Sequence, residues 1–143
     1  MIRLGLIVAQ FNRSVTESME QQAIDAAEQH NVEVAEIIHV PGAYDSPLAA
    51  DRLARRDDID AVAVLGAIVT GDTDHDQVIG TATTQSLTEV SLDRDTPVLL
   101  GITGPGMSGA EARERISIGE RTIEDAAQFV RELREIQNEE RNG

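Results

Sequence analysis

Ala61-Val62-Ala63-Val64-Leu65-Gly66-Ala67-Ile68-Val69 is an unbroken apolar run, and Thr70-Gly71-Asp72-Thr73-Asp74-His75 follows it directly. A short run without polar alternation reads as a strand buried on both faces, the habit of a parallel sheet. A glycine turn at the carboxyl end of such a strand, then a hydroxyl, then a histidine opening a helix, sets an anion site beside a proton-transfer group. Ligands bind at strand carboxyl ends in open parallel sheets. This one stretch therefore speaks to chemistry as well as fold.

Working outward, Arg3 to Ala9 is a shorter apolar run and reads as the first strand. Gln10 to Arg13 is a turn, after which Ser14 or Thr16 can cap a helix to about His30, with Val15, Met19, Ala23 and Ala26 on its apolar face. Val32 to Val40 is a second strand, broken at Pro41-Gly42. Ser46-Pro47 starts a second helix that runs to the charged turn Arg55 to Asp60, with proline at the first helical position. A third helix is expected from about Asp74 to Leu92, and a fourth strand from Thr96 to Ile102. Gly104 to Gly109 reads as a glycine loop. The remainder reads as helical, with Ile123, Ala126, Ala127, Val130 and Leu133 on one face, and Asn138 to Gly143 as a frayed polar tail. The order β-α-β-α-β-α-β-α-α predicts an α/β three-layer sandwich: one domain over residues 1–143, with a four-stranded parallel flavodoxin-like sheet in the order 2-1-3-4.

Composition narrows the partners. A chain of 143 residues, 41% of them apolar, is long enough to bury a core. Its only aromatics are Phe11, Tyr44 and Phe129, and the first two fall beside turns. Cysteine is absent, which excludes disulfides and thiolate metal sites. No apolar run is long enough to span a membrane and no signal peptide precedes the first strand, so a cytoplasmic location is expected. The net charge is −14, and all 12 basic residues are arginine. Such acidity without a basic stripe argues against nucleic acid. It fits a cytoplasm rich in salt, where carboxylate repulsion is screened within about 3 Å at 1 M ionic strength. Biased codon usage in an ordinary acidic protein is the other explanation.

The candidate motifs separate on their surroundings. Gly104, Gly106 and Gly109 match G-x-G-x-x-G, but they follow the last strand, whereas a dinucleotide fingerprint opens the first βα turn and feeds a further strand. They read as a packing loop. Asp72, Asp74, His75 and Asp76 have the chemistry of metal ligands, yet helical neighbours point in different directions and cannot all converge. No metal is expected. His75 stands out because imidazole changes charge near neutral pH and the residue opens a helix beside free backbone amides, where it can exchange protons with a bound anion. His30, near a helix end, and His39, within a strand, read as structural. Arg115 lies beyond the fourth strand, where a guanidinium can fork onto phosphate oxygens.

Four blocks lie in register: Ala9-Gln10-Phe11-Asn12-Arg13; Val40-Pro41-Gly42-Ala43-Tyr44-Asp45-Ser46-Pro47; Gly66 through His75; and Pro97-Val98-Leu99-Leu100-Gly101. Together they resemble the 6,7-dimethyl-8-ribityllumazine synthase family over nearly the whole chain, and Gly101 to Met107 resembles its archaeal branch. The resemblance implies an enzyme of riboflavin biosynthesis. It would condense 5-amino-6-(D-ribitylamino)uracil with 3,4-dihydroxy-2-butanone 4-phosphate, releasing phosphate and water, without metal or organic cofactor. It implies that Phe11 stacks on the pyrimidine and that Ala43, Tyr44 and Asp45 hold the ribityl chain and ring edge. Ala67, Ile68 and Val69 would line the ring with backbone groups. Gly71, Asp72 and Thr73 would cradle the phosphate, and His75 would transfer protons. Leu100 and Arg115 would come from a neighbouring subunit, Arg115 completing the phosphate site. Family members form pentamers or shells of twelve pentamers. The sequence departs from the family at Asp45, one methylene shorter than the usual glutamate. It departs again at Asp76, where many bacterial members carry an aromatic, and in its lack of the lysines often found in the family's last helices, for which Arg121 is one candidate substitute in attracting anions. Two rival readings remain: a flavin- or lumazine-binding shell protein without catalysis, and an archaeal-type riboflavin synthase on a related scaffold.

Overall fold

A computed structural model describes residues 1–69, 75–107 and 117–142. The strands are β1 (Ile2–Ala9), β2 (Val32–Val40), β3 (Ala61–Val69) and β4 (Val98–Met107). The helices are α1 (Arg13–Gln29), α2 (Ser46–Ala54), α3 (His75–Arg94) and α4 (Ile118–Asn142), and a single 3₁₀ turn (Ala43–Asp45) precedes α2. All strand pairs are parallel, in the order β2-β1-β3-β4. This is the expected α/β topology.

The two central strands carry the most continuous apolar sequence because both their faces are covered. Leu4, Leu6 and Val8 of β1 and Ala61, Ala63 and Leu65 of β3 pack under Val15, Met19 and Ala23 of α1 and Ile123, Ala126 and Val130 of α4. Ile7, Val62 and Val64 pack on the opposite face with Ala50 and Leu53 of α2 and Leu87 of α3. The helical spacing on α1 is therefore met as expected. Gly119 shows how closely α4 approaches α1: a Cβ there would stand 2.3 Å from the Met19 carbonyl oxygen, so only glycine fits.

The structure corrects the sequence reading at several boundaries. Neither Ser14 nor Thr16 caps α1; the helix already runs from Arg13, and Asn12 takes the N-cap position in a left-handed conformation. Thr16 is instead buried within the helix, with no partner for its hydroxyl. β4 does not end at Ile102 but continues through Gly104-Pro105-Gly106 to Met107, so four of the six residues of the expected glycine loop are strand. A register shift after Ala67 makes this possible, bringing Val69 opposite Met107. Proline is tolerated there because β4 is an edge strand. Only α4 represents the two expected final helices among the described residues, and it extends through Asn142. Leu133, expected on its buried face, is exposed, as is every side chain from Arg131 to Asn138.

Candidate active site

The site is built where β1 and β3 part. Their ladder ends at Val8 opposite Leu65. Beyond that point the chain from β1 stays with β2: the Gln10 amide donates to the Val40 carbonyl at 2.7 Å, and the Phe11 amide to Pro41 at 3.0 Å. In the order 2-1-3-4 this junction is where successive connections turn to opposite sides of the sheet, and parallel sheets open a crevice at such a point.

Small residues form its floor. A Cβ on Gly66 would lie 3.4 Å from the Ala9 side chain and 3.7 Å from that of Ala43, so the ends of β1 and β3 and the start of the 3₁₀ turn meet there. The turn is held from within. Ser46, fully buried, donates its hydroxyl to the Ala43 carbonyl at 2.7 Å. The Asp45 carboxylate accepts from the Gly42 amide at 3.0 Å. The Asn12 side chain crosses the gap and donates to the Ala67 carbonyl at 2.9 Å. Above this floor the Phe11 ring is 66% exposed, and Tyr44 is 64% exposed. Ala67 and Ile68 are buried at the end of β3. A flat apolar ring, close-packed backbone and few charges suit a planar heterocycle carrying a polar chain.

The family model described as 6,7-dimethyl-8-ribityllumazine synthase matches residues 1–137. The chain belongs to the 6,7-dimethyl-8-ribityllumazine synthase family. It is 66% identical over 133 residues to the protein of that name from Halobacterium salinarum, covering 93% of this chain and 100% of that one. It is 64% identical to the one from Halorubrum lacusprofundi, covering 93% and 99%, and 46% identical to the one from Methanopyrus kandleri, covering 96% and 98%. It is thus a transferase of riboflavin biosynthesis that forms 6,7-dimethyl-8-ribityllumazine.

The residues singled out from the resemblance to lumazine synthases fall into four groups. Phe11, Ala43, Tyr44, Asp45, Ala67 and Ile68 come together around the crevice, and the backbone of Val69 ends β3 beside them. His75 is exposed as the first residue of α3, which packs against the 3₁₀ turn. Leu100 does not join them within one chain. It stands on the edge strand opposite Val64, on the side of β3 away from β1, and is 48% exposed. Gly71, Asp72, Thr73 and Arg115 lie outside the described residues.

Two residues that hold this crevice together were not singled out from the sequence, Asn12 and Ser46. Both lie within the quoted blocks and are turn-forming residue types, a signal for local capping that says nothing of the bond from Asn12 to a distant strand. The departure at Asp45 now has a geometry: the shorter carboxylate folds back onto its own turn. Among the described residues no group of histidines and carboxylates is arranged to hold a metal ion. Likewise, no described helix is long and apolar enough to cross a membrane. His39 and His30 pair with Glu20 at 2.7 Å and Glu124 at 3.4 Å.

Proposed function

We propose that the crevice between β1 and β3 binds 5-amino-6-(D-ribitylamino)uracil, with Phe11 stacked on the ring. Ala43, Tyr44 and Asp45 lie along the ribityl chain and ring edge, and the backbone of Ala67, Ile68 and Val69 reads the ring. The meeting of three separate chain segments at the β1–β3 junction carries this reading. 3,4-Dihydroxy-2-butanone 4-phosphate sits against Gly71, Asp72 and Thr73, its phosphate met by Arg115 of a neighbouring copy. Backbone amides at a helix start and a guanidinium are the groups a leaving phosphate needs.

Imine formation, phosphate elimination and ring closure each move protons, and His75 is the group for that work. General acid–base catalysis of this kind is worth about 10²–10⁴-fold. Holding two substrates in contact supplies much of the rest. No metal or organic cofactor takes part.

The site is completed by self-association, at least as a pentamer. Phe11, Tyr44, Leu48, Val78 and Leu100 are large apolar side chains left exposed. Tyr44 and Leu48 also line an open groove of 410 Å³ with Ala82, Thr83 and Ser86. Exposed large apolar side chains suit an association surface. The working compartment is a cytoplasm rich in salt, in keeping with a net charge of −14 and the absence of lysine.

Mixing the two substrates with the protein in concentrated salt tests the reading. The lumazine chromophore should appear. A binding protein would yield none, and a riboflavin synthase would consume added lumazine instead. Light scattering in the same salt gives the subunit number, and a monomer would remove the shared site.

A further inference from the structure

Asn12 is doing a job that its position does not explain. An asparagine at a helix N-cap ordinarily accepts a hydrogen bond from a backbone amide of the first turn. Asn12 makes no such bond. Its backbone lies at φ 65, ψ 49, a left-handed conformation that L-residues avoid and asparagine tolerates better than most. Its amide reaches a strand 55 residues away, donating to the Ala67 carbonyl at 2.9 Å.

The surroundings show what that bond does. On the β2 side, Gln10 and Phe11 are pinned by backbone hydrogen bonds to Val40 and Pro41. On the β3 side the ladder has already ended at Val8 and Leu65. Among the described residues, the Asn12 side chain is the tie across that gap. The other described non-glycine residues with positive φ, Asn31 and Asp95, sit in the turns that lead into β2 and toward β4, at the opposite end of the sheet.

We propose that Asn12 is a positioning residue for the heterocycle: by locking the turn after β1 to the end of β3, it sets the spacing between the Phe11 ring and the Ala67–Ile68 backbone. This rests on the uracil-binding role given to the crevice under Proposed function. Glycine at this position keeps the left-handed backbone and removes the donor. Aspartate keeps the shape but sets a carboxylate against a carbonyl.

The experiment is calorimetric titration of 5-amino-6-(D-ribitylamino)uracil into the whole protein in concentrated salt, with steady-state kinetics alongside. Asn12→Gly and Asn12→Asp should weaken that substrate about 3- to 10-fold, the scale of one lost hydrogen bond. The KM for the butanone phosphate should stay within about twofold, the usual scatter for sites that do not couple. In a Phe11→Ala background the Asn12→Gly change should add less than about twofold, because the ring it positions is gone. Unchanged affinity in Asn12→Gly overturns the inference. So does a full effect in the Phe11→Ala background, which would mean that Asn12 acts without the ring. Should Asn12→Asp fail to fold, Asn12→Gly decides. If the parent binds the uracil yet makes no chromophore, the catalytic reading fails while the affinities still judge Asn12. If the parent binds none, both fall.

Discussion

The two ends of the sheet are built on opposite electrostatic terms. At the amino end, where β1, β2 and β3 begin, charges are numerous and shared. Arg3 pairs with Glu33 and with Asp58, Arg56 with Asp58 and Glu36, and Arg134 with Asp60. Asp60 also accepts the Arg3 amide at 2.8 Å. At the carboxyl end, Phe11, Asn12, Ala43, Tyr44, Ala67 and Ile68 are uncharged, backbone groups are tied by Asn12 and Ser46 as well as by the Asp45 carboxylate, and the aromatic side chains are exposed. A surface whose charges already have partners contributes to stability and resists further association. A surface with exposed apolar rings and pre-set backbone is one that a ligand or another subunit can complete.

Substitutions can sharpen that contrast. The largest effect is expected at the carboxyl end: His75→Ala should lower kcat by about a hundredfold or more, the range for removing a general acid–base group. Its Tm should stay near the parent's. A kcat equal to the parent's would dissociate His75 from proton transfer. Phe11→Ala should raise the KM for the ribitylaminouracil about tenfold, in line with a lost ring stack and its buried area. Its stability should be unchanged because the ring is exposed, and a large drop in Tm would show that it is a structural plug.

At the amino end the effects are smaller and of the other kind. Glu33→Gln should cost about 1 kcal/mol or less in stability, as exposed ion pairs do. The difference should shrink as salt is raised, with kcat/KM unaltered. A loss of turnover there would break the division between the ends.

The smallest effect is a pH dependence. The hydrogen bond from Arg56 holds the Asp58 carboxyl down to about 2, although its surroundings partly oppose this. An unfolded aspartate titrates near 3.9, so this contribution is complete above that pH and disappears as pH falls through about 2. Asp58→Asn lacks it at every pH. Urea midpoints between pH 5 and 2 should therefore converge on acidification, and parallel curves would contradict the pairing. The Asp51 carboxyl is lowered in the same direction, chiefly by its hydrogen bond from Arg94.

How much of this was legible depended on whether the signal was local. Strands β1 and β3 showed as apolar runs because burial on both faces leaves no polar alternation. The face of α1 showed because Val15, Met19, Ala23 and Ala26 repeat with the helix. The extent of β4 did not show. Gly104 and Pro105 carry loop chemistry, and only pairing across a register shift makes that segment a strand. Asn12 and Ser46 were legible as turn formers but not as ties, since their partners are set by the tertiary path. Leu100 could be named from the resemblance, but its separation from the crevice within one chain is a matter of sheet order.

The sequence by itself determined the α/β alternation, the acidic surface and the residues that mark the family, because each is written in neighbouring positions or in composition. Tertiary structure alone decided that β1 and β3 part after Val8, that Asn12 spans the opening, and that Asp45 turns back on Gly42. Those outcomes depend on which backbone groups remain unpaired once the sheet has formed. No local pattern encodes that, because each partner is supplied by a strand or turn elsewhere in the fold.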